Sequence, residues 1–442
     1  MTARFRSPIG RLGECCRGFG RAVVVALGAT GPLLPQAGLA DLLPGRSMLP
    51  EVAQARELPA RFVGAAAVFE AELVERVMPY WHDTTIDEEH GGYLLGDDVA
   101  GPVAPPATKM IVSQARMVWG FAHAHRNGVR DPERDYLAAA AQGYRFLIER
   151  FRDPEHGGYY WLTDRAGNPL DDGKFLYGQA FVIYALVEYY RASGQRSALE
   201  HAVELYRTVQ AHAYDEHNGG WREQARADWR PLAPGEPSTI GIPGLKSGNA
   251  HLHWFEALTE LFEVTRPHAI RTSFNAPLRL AKVLREALQI NTIYFYPSRP
   301  ARSTGYRTAD WRRIVEPDAE EISYGHLVEF AWLMVRAERV LGRKPSWGHF
   351  RALVHHALEH GYDHRRGGVY DLGIGAEPAF DTDKTWWVQA EMNALPPRPI
   401  RRPWLEALSR RRPGIPAGPR GRGGCRRAPG ARRAAARPPG PG

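Results

Sequence analysis

Cysteine is nearly absent from this 442-residue chain: Cys15, Cys16 and Cys425 are the only three, and all lie near the ends. The body between them therefore has no disulfide framework, no thiolate metal site and no cysteine nucleophile. Also lacking is any apolar run long enough to cross a bilayer. A positive surplus is missing from the body too, although the whole chain carries a formal charge of +8. Residues 396–442 hold 13 Arg against the single acid Glu406, and residues 1–40 hold five Arg against Glu14. That leaves residues 41–395 at −8, and an acidic body offers no basic groove for nucleic acid. After His364 there is no histidine at all.

The two ends read differently from the middle. Residues 1–57 form an N-terminal extension in which basic residues precede AVVVALGATGPLLP and an AGLA ending at Ala40, a pattern that resembles a secretory signal. A disordered extension or a start at Met48 competes with that reading. The expected location is cytoplasmic, with export through this segment as the alternative. Residues 396–442 contain 11 Pro and 8 Gly besides their Arg, cannot pack a core and are expected to be disordered. The change after EMNAL is abrupt, in mid-helix, which suggests a frameshift product in place of a last helix pair; a true basic tail is the rival.

What is present, in residues 58–395, is a repeat. DEEHGGYLL from Asp87, DPEHGGYYW from Asp153, DEHNGGWRE from Asp215 and DHRRGGVYD from Asp363 share an acid, a Gly-Gly and a following bulky residue. Gly-Gly at such a place fits a tight reversal, because glycine enters positive φ without steric cost. Between the reversals, amphipathic helices are predicted over Phe62–Trp81, Tyr136–Phe151, Leu199–Ala213, Leu278–Ile290 and Phe350–His360. They alternate with segments apolar on nearly every face, beginning at Lys109, Lys174, Lys246, Ser323 and Lys384. A helix apolar all round is buried all round, so these are inner helices and the others outer ones. Helix pairs at intervals of 61 to 77 residues imply a solenoid or a closed ring with its hairpins on one face. A sixth inner helix at the same interval would begin beyond residue 442, so the ring is expected to lack its last pair.

The inner segments carry the chemistry. In KSGNAHLHWFEA, His251 and His253 point in different directions on a helix, whereas Asn249 and His253 share a face. In SYGHLVEF, His326 and Glu329 are three apart, so the carboxylate can orient the imidazole. Arg116, Tyr177, Gln179, Trp386, Trp387 and Glu391 add a cation, a hydroxyl, an amide, indoles and a carboxyl. Each alone is compatible with packing or a structural hydrogen bond; together they suit a carbohydrate, with indole faces for C–H surfaces and polar groups for hydroxyls.

HGGY, KSGNAHLHWFEALTEL, SYGHLVEF and KTWWVQAE, in this order, resemble the N-acylglucosamine 2-epimerase family, which includes cellobiose 2-epimerases and mannose isomerases. The resemblance covers about residues 59–395 and implies an all-α (α/α)6 barrel. It also implies metal-free, cofactor-free proton transfer at C2 of an open-chain sugar through an enediol or enediolate. By motif, His326 matches an acid/base histidine with Glu329 as partner, and His253 matches one that assists ring opening or proton movement. Asn249, Arg116 and Tyr177 match substrate-contacting positions, with Trp387 and Glu391 alongside. The family's further histidine before the last inner helix has no counterpart, so an inactive copy is one expectation. A sugar is the expected partner, with neither nucleic acid nor a membrane span, and a homodimer is the expected assembly. Two rivals stay open: a non-catalytic sugar-binding barrel, and a glycoside hydrolase using Glu329 and Glu391 across a sugar bond.

Overall fold

The computed structural model describes residues 67–95, 97–98, 101–102, 107–266, 276–296, 305–314 and 321–394. The N-terminal extension and the Arg-Pro tail read from the sequence lie outside the described residues. Helix runs over 67–85, through a π-helical turn at Leu73–Val77, and ends as α1 (Met78–Thr85). There follow α2 (Ile111–Arg126), α3 (Tyr136–Phe146), α4 (Leu176–Ser193), α5 (Arg196–His212), α6 (Gly248–Thr265), α7 (Ala276–Tyr294), α8 (Tyr324–Val340), α9 (Trp347–His360) and α10 (Trp386–Asn393).

Odd-numbered helices are outer and even-numbered ones inner. In α5 the buried residues are Ala198, Ala202, Leu205 and Val209, one stripe at helical spacing. In α6 every residue from Ala250 to Phe262 is buried. Inner helices pack on one another in chain order, α2 on α4, α4 on α6, α6 on α8 and α8 on α10, while α3, α5, α7 and α9 each back the inner helix that precedes them. This alternation is the architecture of an (α/α)6 toroid, with five outer–inner pairs among the described residues. Among those residues no helix is long and apolar enough to cross a membrane.

The Gly-Gly turns close single bridges, Ile86 to Tyr93, Arg152 to Tyr159, Tyr214 to Trp221 and Tyr362 to Val369. Both glycines of each turn have φ between +69° and +87°, a region costly for residues with a Cβ. The longer pairings run between units rather than within them: the strand before one inner helix pairs antiparallel with a strand that precedes the next inner helix. Thus Thr108–Met110 pairs with Leu162–Asp164, Leu245–Ser247 with Tyr306–Thr308, and Glu321–Ser323 with Leu372–Ile374.

The lysines expected to open the inner helices are not helical. Each precedes its helix by two residues, and its ammonium reaches back to the acid of the preceding turn. Lys109 donates to Asp87 at 2.8 Å, Lys174 to Asp153 at 2.7 Å, Lys246 to Asp215 at 2.9 Å and Lys384 to Asp363 at 2.8 Å. The other oxygen of each Asp accepts from backbone N–H groups of its own turn, as in Glu89 and His90 to Asp87. Five residues after each lysine a side chain clasps the backbone of the residue that follows Gly-Gly. Gln114 both donates to and accepts from Tyr93, Gln179 does so with Tyr159, and Gln389 with Val369. In the third unit His251 takes this place: its Nε2 accepts from Trp221 N–H at 3.3 Å and its Nδ1 is 2.9 Å from Ser247 O. His251 is thus a substitute for the clasping glutamine and is spent on the backbone.

The crossing into α8 has no Gly-Gly turn, and Ile322 stands where the lysine would be. Acid and lysine therefore occur together or not at all. A buried charge without its partner is costly, so Lys246→Met, which removes the one buried cation on Asp215 and leaves it only the half-exposed Arg222 at 3.4 Å, should lower the unfolding free energy by about 3 kcal/mol in urea melts. An unchanged midpoint would remove the pair from this role. Burial pushes the Asp215 carboxyl up, but hydrogen bonds from Lys246 and Asn218 outweigh it and hold the group at about 2. Its contribution is complete above about pH 4, the ordinary carboxylate range, and is lost as pH falls toward about 2; urea midpoints across that window check the sign.

Candidate active site

Counting from the lysine, or from Ile322 in α8, gives each inner helix one register. At seven residues stand Arg116, Phe181, His253, Glu329 and Glu391. Successive members face one another around the lumen. The Arg116 guanidinium lies 4.2 Å from the Phe181 ring centroid, Phe181 is 4.7 Å from His253, and His253 Nδ1 is 3.8 Å from Glu329 Oε1. At three residues, nearer the rim, come Val112, Tyr177, Asn249, Gly325 and Trp387. Tyr177 meets His253 edge-on at 5.2 Å, and the Trp387 indole is 4.9 Å from the His326 ring. All of the residues matched to a sugar site thus lie on or beside two adjacent layers of one lumen.

Two deeper layers follow at ten and fourteen residues. The first holds Trp119, Tyr184, Glu256 and Trp332. Trp119 stacks on Tyr184 at 5.3 Å, and Trp332 Nε1–H donates to Glu391 at 2.8 Å. The second holds His123, Glu188, Glu260 and Arg336, joined by hydrogen bonds and arginine ion pairs: His123 Nδ1 is 2.7 Å from Glu188, Arg336 Nη2 donates to Glu260 at 2.8 Å, and Arg191 bridges Glu188, Glu260 and Glu263. Steps of 3, 7, 10 and 14 follow a 3.5-residue period, the spacing of a seam turned continuously toward neighbouring helices.

One expectation is corrected here. Glu329 does not pair with His326: among the described residues its carboxyl is near His253 instead, while the His326 ring rests against Trp387. His326 stands four residues after Ile322 and Glu329 seven, so the two leave the helix at different depths. Glu256 is absent from the set that the motifs single out. Its carboxyl oxygen is hydrogen bonded to His253 Nδ1 at 3.0 Å, and the residue is buried; the signal for it is the offset from Lys246, visible only once lysine is recognised as the marker.

Burial governs the electrostatics. It pushes the Glu256 carboxyl up to about 7, with Glu260 adding to the rise and Arg116 opposing it. Burial likewise holds Glu391 at about 7 against the Trp332 hydrogen bond, and with the charges of Glu391 and Glu256 raises Glu329 well above the carboxylate range. His253 is held well below its ordinary value by burial and Arg116, and His326 falls to about 3 through burial and His253. At neutral pH the lumen therefore presents two uncharged imidazoles beside carboxyls that share protons. Ligand atoms of His253, Glu256 and Glu329 lie within 4.8 Å of one another, a spacing that would admit a cation.

The chain belongs to the N-acylglucosamine 2-epimerase (GlcNAc 2-epimerase) family, which it matches over residues 91–396. It is 30% identical over 323 residues to a cellobiose 2-epimerase of Bacteroides fragilis, covering 72% of this chain and 78% of that one. A D-mannose isomerase of Marinomonas mediterranea is 26% identical over 324 residues, covering 72% and 76%. The solved cellobiose 2-epimerase of Spirochaeta thermophila superposes with a TM-score of 0.66 at 29% identity, over 80% of this chain and 84% of that one. A family 76 α-mannanase of Bacteroides thetaiotaomicron, at 10% identity and a TM-score of 0.51, shares the fold alone.

The hydrogen bond from Trp332 lowers the proton affinity of Glu391. Trp332→Phe should raise it, so that the carboxylic-acid band of Glu391 in difference infrared spectra persists to higher pH. A band that titrates at the parental pH would show that the indole does not hold this carboxyl.

Proposed function

We propose that this chain interconverts aldoses at C2 by proton transfer through an enediol or enediolate, with His326 and His253 as the proton-handling groups. The observation that carries the reading is the convergence of these two neutral imidazoles with Arg116, Asn249, Tyr177, Trp387, Glu329 and Glu391 on adjacent layers of one lumen. Removing a proton from carbon beside a carbonyl needs a base that is unprotonated near neutral pH, and an imidazole whose proton affinity burial has lowered meets that condition. Arg116 suits the charge that develops on the enediolate oxygen. The Trp387 face suits a pyranose C–H surface, and Asn249 and Tyr177 suit its hydroxyls. His253, flanked by Glu256 and Glu329, is the group for ring opening, where a proton leaves O1 and another reaches the ring oxygen.

The substrate class is a sugar with a free reducing end. Relatives named for cellobiose and for mannose make those two the first to test, with N-acetylglucosamine third. Incubation in heavy water followed by proton NMR should show loss of the C2 proton together with growth of the C2 epimer or the ketose. His326→Asn should slow that exchange by about 10²- to 10⁴-fold. No exchange with any of the three sugars would sink the reading.

A further inference from the structure

We propose that Glu256 is a positioning residue that decides which nitrogen of His253 carries the proton. Its catalytic meaning rests on the function proposed above; the coupling itself does not. His253 and Glu256 are three residues apart on α6, both are buried, and Nδ1 stands 3.0 Å from Glu256 Oε2. With Glu256 ionised, Nδ1–H donates to the carboxylate and Nε2 keeps a lone pair. With Glu256 protonated, its O–H donates to a bare Nδ1 and the ring proton resides on Nε2. The imidazole is neutral in both states, and the one proton gained or lost belongs to the carboxyl. The same side chain is thus a base at Nε2 in one state and an acid at Nε2 in the other.

The groups around Glu256 make the switch available near neutral pH. Arg116 on α2 favours the ionised form and Glu260, one turn along α6, opposes it, while Tyr184 on α4 hydrogen bonds to the carboxylate. From α8, Arg336 favours ionisation, and the charge of Glu256 in turn raises Glu329 on α8 and Glu391 on α10. Glu260 is itself held by Arg191 and Arg336, so its charge is fixed. Glu256 is left as the carboxyl in direct hydrogen-bond contact with the imidazole, while Glu329 at 3.8 Å is beyond that reach.

The test uses the full chain with ¹⁵N-labelled histidine, His253 being assigned by loss of its signals in His253→Asn. Long-range proton–nitrogen correlation from about pH 5 to about pH 8, the range in which such groups titrate, should show His253 Nε2 pass from protonated to bare. In Glu256→Gln, which cannot titrate, one pattern should persist throughout. With an active sugar, the same variant should lose about tenfold or more in kcat, flatten the kcat profile over that window and leave KM within about twofold. Glu256→Asp, with its carboxyl drawn back, should shift the crossover without abolishing it, and serves if the glutamine variant does not fold. A His253 pattern in Glu256→Gln that still crosses at the parental pH overturns the proposal, as does a crossover abolished by Glu329→Gln and not by Glu256→Gln. Coupled tautomers in a protein that exchanges no sugar would uphold the proposal and remove the function reading instead.

Discussion

The buried ion pair between a turn aspartate and the lysine two residues before the next inner helix sets the depth at which everything else sits. A helix packed on two neighbours could slide by a turn along its axis at modest cost, since apolar contact is not directional. An ammonium buried with one carboxylate and two backbone carbonyls cannot, because leaving that partner strands a charge out of water. Lys246, for example, holds Asp215 Oδ2, Gly219 O and Ala309 O at once. The clasp five residues on removes rotation as well. With both fixed, the seventh residue after the lysine falls in the lumen at one level in every unit.

This register explains how one lumen tolerates so many carboxyls. The layer at fourteen residues is closed by arginines, and Glu188 and Glu260 there are kept ionised. One and two layers above, Arg116 is the cation that Glu256, Glu329 and Glu391 have in common, and burial resolves the surplus by keeping protons on them. The deep end is thus an ionic floor, and the levels above it hold carboxyls whose proton affinity burial has raised. Indoles and a phenol, Trp119, Tyr184 and Trp332, stand with Glu256 at the boundary between the two.

Much of this is legible in the sequence. Periodicity separates inner from outer helices because burial on all faces leaves a mark in composition, and α5 and α6 bear it as expected. The motif residues stand out and do converge. What stays hidden are relations between distant residues. Spacing places His326 and Glu329 on one face, yet three residues on a helix also means about 4.5 Å of axial rise, enough to give the carboxyl to His253. The lysines look like helix starts because a cation at the edge of an apolar run looks solvated. Their partners lie 21 to 31 residues earlier in the chain, and nothing local announces the pairing. His251 and His253 look alike in sequence, and only the five-residue clasp separates the one spent on backbone from the one left to handle protons.

The unit boundary at Ile322 carries one more consequence. Inner helices begin at unequal intervals, and the segments between them differ in length and composition, yet the lumen layers remain level. Loop length and site depth are therefore independent variables in this architecture. A hairpin can be lengthened, exchanged or grafted without moving the reacting groups, provided the aspartate, the lysine and the clasp travel together. Among the described inner helices, the entry to α8 is where Ile322 and Leu327 replace the lysine and the clasp, and there such remodelling would be transmitted to the position of His326.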